Sequence, residues 1–370
     1  MRTLKAALAL LIITLSFLSG QAQTRFDNLE FKQFSTPEGL PNSMVHQVYQ
    51  DRDGYIWIST FYGLFRYDGY EVRTYKSNLY TPGLLVNNNV ICVEEDYSHR
   101  LWIGTHEGLC VLDKQTGKMR KMKLEGISKH RLNEIHVTKD NKVYLGYIRG
   151  MACYNAELDT LELMTSKNCK GEVPEQINIQ TLLEDENGDL LIGTWQDGLF
   201  HYNIKENKFI HYPPLDESNS VLALFQDSKG ALWIGTSGSG LYKVNFSPDK
   251  KILSVEKAYK HDALNTLSLS SDYIYSIHED LQTHSLWLGT RNGVSIMDLT
   301  DEGKFINYRE SGSEHYLPVR EVNTVFRDKN GLMWIGTKGA GVFHVNTRTR
   351  PFEVFYPRGN GKSFTDIIST

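Results

Sequence analysis

Apolar and polar positions alternate along this chain in short runs of four to eight residues, each closed by a cluster of turn formers. Alternation at a period of two is the mark of a half-buried β-strand. One run recurs seven times. It reads Ile56-Trp57-Ile58-Ser59-Thr60, Leu101-Trp102-Ile103-Gly104-Thr105 and Val143-Tyr144-Leu145-Gly146-Tyr147. It continues as Leu190-Leu191-Ile192-Gly193-Thr194, Leu232-Trp233-Ile234-Gly235-Thr236, Leu286-Trp287-Leu288-Gly289-Thr290 and Met333-Trp334-Ile335-Gly336-Thr337. Successive copies lie 42 to 54 residues apart. A repeat of this length built from short strands is the sequence signature of a propeller blade.

The second repeat shows the plan of one blade. Asn89–Asp96 alternates into a first strand, Leu101–Thr105 is a second, Leu109–Asp113 a third and Lys118–Lys123 a fourth. Short loops between them make an antiparallel meander. The expected fold is therefore all-β: a seven-bladed β-propeller of four-stranded antiparallel blades. An Asp is expected to close each first strand: Asp51, Asp96, Asp140, Asp185, Asp227, Asp280 and Asp328. Asp and a following Gly supply the local hydrogen bond and positive φ of a tight hairpin. The recurring Trp is a large flat filler between neighbouring sheets, and the Gly after it lets backbone approach closely.

The two ends of the chain carry separate readings. Arg2 and Lys5 precede a 13-residue apolar run, Ala6–Leu18, and Gly20-Gln21-Ala22 offers a cleavage site. Residues 1–22 read as a secretory signal peptide. Leu29–Phe34 resembles the fourth strands of other repeats but has no first three before it. It is expected to pair with the last blade and close the ring, leaving no sheet edge. The propeller then spans residues 23–350. Phe352–Tyr356 is one fourth strand too many, and Gly361–Thr370 resembles the opening of an eighth first strand. Residues 351–370 read as the start of a truncated further blade, or as a tail in which residues 352–356 close blade seven themselves.

Composition narrows the function. A net charge of −4 and no long basic run argue against nucleic acid. Four cysteines, Cys92, Cys110, Cys153 and Cys169, match no zinc spacing. Cys92 and Cys110 read as small buried hydrophobes. Asp185-Glu186-Asn187-Gly188-Asp189 has a passing likeness to a calcium loop. Its Gly is fourth rather than sixth, however, and hairpin geometry explains the residues. No cofactor and no metal are expected.

The pattern Asn-x-Val-x-x-Ile/Val-x-x-Asp-x-x-Gly-x-Leu-Trp-Ile-Gly-Thr-x-x-Gly-Leu, clearest in Val221–Leu241, resembles the two-component regulator propeller repeat. The opening Phe31–Ser43 is similar to the mature start of hybrid two-component sensors of the Bacteroides type. That resemblance implies a periplasmic sensor, the outer part of a longer receptor with a transmembrane helix, histidine kinase, receiver and DNA-binding regulator. It implies detection of oligosaccharides and control of glycan-use genes. Partners would then be an oligosaccharide, the remainder of the sensor kinase and a second copy as homodimer. The membrane would enter only through segments this chain lacks. No kinase His box, nucleotide-binding Gly motif or DNA-binding helix occurs in these residues.

In a four-stranded meander, the loop before the first strand and the loop between the second and third share one face. Ligand contacts are therefore expected from Tyr62, His106, Glu107, Arg149, Trp195, Gln196, Asp197, Arg291, Asn292 and Lys338. Amides, charges and aromatics in such a mix suit a sugar. Trp195 is the most pointed. Its repeat holds Leu191 in the Trp slot, so Trp195 is either a platform for a ligand or a filler for the space Leu191 leaves. Two other functions compete: a propeller enzyme, with Glu107 and Asp197 as a carboxylate pair, and a protein-docking scaffold.

Overall fold

A computed structural model describes residues 26, 29–34, 44–78, 85–122, 131–215, 219–247, 250, 252–310 and 315–347. The expected signal peptide and residues 351–370 lie outside the described residues. Seven antiparallel sheets follow one another in chain order and close into a ring, with no helix among the described residues. Blade two runs Val90–Glu95, Arg100–Thr105, Gly108–Asp113 and Met119–Met122, each within about a residue of the expected ends. Blade four runs Ile179–Glu184, Leu190–Thr194, Leu199–Asn203 and Lys208–Tyr212, and blade five Val221–Gln226, Leu232–Thr236, Leu241–Phe246 and Leu253–Tyr259.

The ring closes as the sequence leads one to expect. Lys32–Gln33 adds antiparallel to Val342–Asn346 of blade seven, with Lys32 opposite His344 and Gln33 opposite Phe343. The amide of Phe34 donates to the Val342 carbonyl at 2.8 Å. The edge that residues 352–356 would use is thus filled from the other end of the chain. Two short parallel additions were not legible beforehand: Lys170–Gly171 beside Lys208–Tyr212, and His315–Tyr316 beside Phe305–Arg309.

The core lies between blades rather than within them. Seven apolar clusters form, each joining two consecutive blades. The repeat Trp is the centre of five, and Trp57, Trp102, Trp233 and Trp287 are essentially without exposure. Burying one such ring removes roughly 150–250 Å² from water, about 4–6 kcal/mol gross at about 25 cal/mol per Å². The Gly two residues on gives the room. A Cβ on Gly235 would stand 2.9 Å from Ile274 Cβ of blade six, and one on Gly336 2.7 Å from Val45 Cγ1 of blade one.

The Asp of the repeat does more than shape its turn. Trp57 Nε1 donates to Asp51 Oδ2 at 2.8 Å, and Trp102, Trp233 and Trp334 donate likewise to Asp96, Asp227 and Asp328 at 2.9 Å. A buried indole N–H needs such an acceptor. Two blades depart. In blade six the indole of Trp287 donates to Ser285 Oγ, while Asp280 pairs with Arg327. In blade three the residue at the turn is Thr138, not the expected Asp140. The Thr138 amide bonds the Lys142 carbonyl, and its hydroxyl accepts from the Lys142 amide at 3.1 Å. The alternation there ends two residues before the Asp, which spacing alone did not reveal. All four cysteines are unpaired.

Candidate functional site

The first strand of every blade carries one irregularity, always one residue after its start. Pairing skips His46, Ile91, Asn133, Gln180, Leu222, Tyr275 and Asn323. A bulge re-aims the extra residue out of the ladder. All seven point into one cavity of about 550 Å³ at the axis of the ring. The fold thus presents one selectable side chain per blade to a common space, while the ladders on either side stay fixed.

Around that ring stand loop residues: Met44, Phe61, Asn89, His106, Arg131, Trp195, Glu321 and Lys338, with Gln47, Cys92 and Glu134 deeper on the strands. Three of the ten expected contacts, His106, Trp195 and Lys338, line the cavity. Tyr62, Glu107, Arg149, Gln196, Asp197, Arg291 and Asn292 are not among its lining residues. Their positions have local causes. Asn292 Nδ2 donates to the Ser270 carbonyl, Arg291 lies over the Tyr273 ring, and the Gln196 and Asp197 carbonyls accept from Asn219 and His211. Tyr62 packs edge-on against Phe61 and is 54% exposed. Glu107 and Asp197 are therefore not brought together at the cavity.

Trp195 is 40% exposed and stands at the cavity wall, while Leu191 is buried within the cluster between blades four and five. The filler role for Trp195 is overturned: the interblade space is closed without it. The ring of bulged residues was missed because a one-residue bulge leaves no mark in the alternation of apolar residues. The signal that could have found it is the seven-fold recurrence of an out-of-pattern residue two places after the pre-strand loop.

The electrostatics of the cavity are muted. Burial pushes the Glu134 carboxyl up to about 8, and that of neighbouring Glu94 well above its ordinary range. Burial holds the His46 imidazole down at about 4, and its Nε2 shares a hydrogen bond with Asn89 Oδ1 at 3.0 Å. Lys338 Nζ is bound to Glu321 at 2.8 Å. Arg131 is the remaining cation of the lining, and burial lowers its pKa. The wall is mainly amide and aromatic, with Arg131 and the Lys338–Glu321 pair as its charges.

Comparison with known proteins agrees with the repeat. Residues 39–62, 84–107, 216–238 and 316–339 match the two component regulator propeller family model. These four stretches are similar to two component regulator propeller repeats. Over 67 residues it is 34% identical to Histidine kinase P4 of Formosa agariphila, covering 18% of this chain and 5% of that protein. The extracellular domain of the putative hybrid two component system BT3049 from B. thetaiotaomicron shares the fold. Its TM-score is 0.70 at 24% identity, over 87% of this chain and 42% of that one. The chain thus spans less than half of either relative. Virginiamycin B lyase from Staphylococcus aureus has the same fold with a TM-score of 0.64 at 10% identity, over 86% of this chain and 99% of the lyase.

Proposed function

We propose that these repeats form the outer, ligand-sensing propeller of a hybrid two-component receptor, exported to the periplasm, and that the ligand is an oligosaccharide held over the axial cavity. The observation that carries this reading is the ring of seven bulged residues around a cavity of about 550 Å³. That volume falls in the range of small-molecule sites. Amides from Asn89, Asn133, Gln180 and Asn323 offer donors and acceptors to hydroxyls, and Phe61 and Trp195 offer flat apolar faces. A wall with few free charges suits a neutral ligand better than an ionic one. The repeats and the partial match to a histidine kinase support the receptor context.

The test is calorimetric titration of the purified chain with a panel of neutral and acidic oligosaccharides, with product analysis of each mixture. Saturable binding without turnover is expected, weakened about tenfold or more in Trp195→Ala. Turnover of any sugar would replace the sensor by a propeller enzyme. Absence of binding across the panel would leave a docking scaffold.

A further inference from the structure

Opposite the cavity, at the far ends of the strands, blade four differs from its neighbours. The Trp slot holds Leu191, so Asp185 has no indole to bind. Its Oδ1 still shapes the turn, accepting from the Asn187 and Asp189 amides at 2.8 and 3.0 Å. Its Oδ2 faces the place where an indole N–H lies in blades one, two, five and seven. Three other groups occupy that region. Asp189 comes from the same turn. His201 comes from the third strand, paired directly with Leu191. The ammonium of Lys250, which falls in sequence between the third and fourth strands of blade five, contacts Asp185 Oδ2.

His201 is the anomaly. It is 2% exposed, and neither ring nitrogen makes a well-formed hydrogen bond. Its Nε2 nevertheless points at both carboxylates, 3.4 Å from Asp189 Oδ2 and 3.9 Å from Asp185 Oδ2. The three ligating atoms lie within 4.8 Å of one another. Metal–ligand bonds of about 2.0–2.2 Å put neighbouring ligands of a tetrahedron about 3.3–3.6 Å apart. The two separations from His201 Nε2, 3.4 and 3.9 Å, stand in or slightly beyond that range. A carboxylate also needs its own orientation fixed from behind. Asn203 Nδ2 donates to Asp189 Oδ2 at 3.1 Å, and the Ile204 amide to Oδ1 at 3.1 Å.

From this arrangement we infer that Asp185, Asp189 and His201 form a structural binding site for a divalent transition-metal ion, Zn²⁺ foremost, whose place the Lys250 ammonium takes when the metal is absent. The imidazole is the borderline ligand that favours such an ion over Ca²⁺ or Mg²⁺, and Zn²⁺ also accepts carboxylate oxygens. The cluster between blades one and two shows what a finished alternative looks like. There Lys114 binds Asp51, Asp53 and Glu95 at 2.7 to 2.8 Å, and the nearby imidazole, His99 at 3.8 Å from Glu95, is half-exposed rather than buried. Between blades four and five a single ammonium leaves the buried imidazole of His201 without a well-formed hydrogen bond. A metal there would link the turn of blade four to its third strand, doing for this blade what the Asp–Trp bond does for others. It would also release the Lys250 ammonium.

The test is titration of the chelator-stripped, purified chain with Co²⁺ and then Zn²⁺. One equivalent of Co²⁺ should bind with visible d–d bands and without thiolate charge-transfer absorption, which separates this site from the four cysteines. Zn²⁺ should displace it and raise the unfolding midpoint. His201→Gln should lower affinity by at least about 100-fold. Lys250→Ala should raise affinity, since the competing cation is gone; this variant tests the site even if His201→Gln fails to fold. Absence of binding in both the parent chain and Lys250→Ala, a thiolate spectrum, or affinity unchanged in His201→Gln or in Lys250→Ala, would each overturn the inference.

Discussion

Blades four and five share almost every backbone feature yet carry different chemistry. In both, the Asp after the first strand accepts two amides of its turn, and the Thr ending the second strand donates to a Gly carbonyl four residues on at 2.8 Å. They part at one slot. Blade five has Trp233, bound to Asp227; blade four has Leu191. Around Leu191 the sequence has placed His201, Asp189 and the reach of Lys250 on one side of the ring, and Trp195 on the other. The lesson is that the repeat encodes the frame, and departures from it mark where side chains have been released from framing. A consensus position explains stability; a broken one is where to look for something else.

The largest effect should come from breaking the frame where it is intact. Trp233→Ala removes an indole with no exposure and leaves Asp227 Oδ2 without its donor. The expected loss is about 3–5 kcal/mol, read from denaturant midpoints. Leu191→Ala at the matching slot should cost less, about 2–3 kcal/mol, because no buried hydrogen bond goes with it. An equal or larger cost at Leu191 would remove the distinction between the two blades.

How much of this was legible beforehand follows from the same contrast. Ring, blade count and closure by residues 29–34 came from the recurrence of an apolar quintet, because that quintet is buried in every copy and its period sets the blade. The Asp–indole bond was hidden, since a residue that shapes a turn and one that accepts from a ring look alike in sequence. The site was only partly legible. His106, Trp195 and Lys338 reach the axis because their loops are short and face inward. Tyr62, Arg291 and Asn292 come from equivalent loops but turn to neighbouring rings and carbonyls of their own blades, contacts that the spacing of the repeat does not encode. The bulged ring could not be seen by looking for alternation, because it consists of the residues that interrupt it.

A second break sharpens the contrast between the frame and the cavity. Glu134 sits in the cavity with its carboxyl raised from 4.5 to about 8, chiefly by burial. A folded value above the unfolded one means that the native state holds the proton more tightly. Its contribution is fully present below about pH 4.5 and is lost as pH rises through about 8. Relative to Glu134→Gln, which cannot ionise, the parent chain should therefore lose stability between these limits. Unfolding midpoints of both chains from pH 4 to 9 supply the check. A constant difference across the range would mean that the carboxyl is as well solvated folded as unfolded.

The smallest expected effect is the most discriminating. Trp195→Ala deletes a ring as large as Trp233, from the loop following the strand that holds Leu191. Size alone would predict a similar loss. Position predicts otherwise. Trp195 is 40% exposed at the cavity wall, and the hydrogen bonds that fix its loop, among them the one from its amide to the Asn178 carbonyl at 2.8 Å, survive in alanine. The change in unfolding free energy should stay within about 0.5 kcal/mol, the range of surface substitutions. Measured beside Trp233→Ala by the same denaturant titration, it compares one side-chain type in framing and released positions. A loss above about 2 kcal/mol would return Trp195 to the frame, and weakened ligand binding in that variant could then no longer be assigned to a lost contact. A loss within the expected range leaves any weakening of binding to the ring itself.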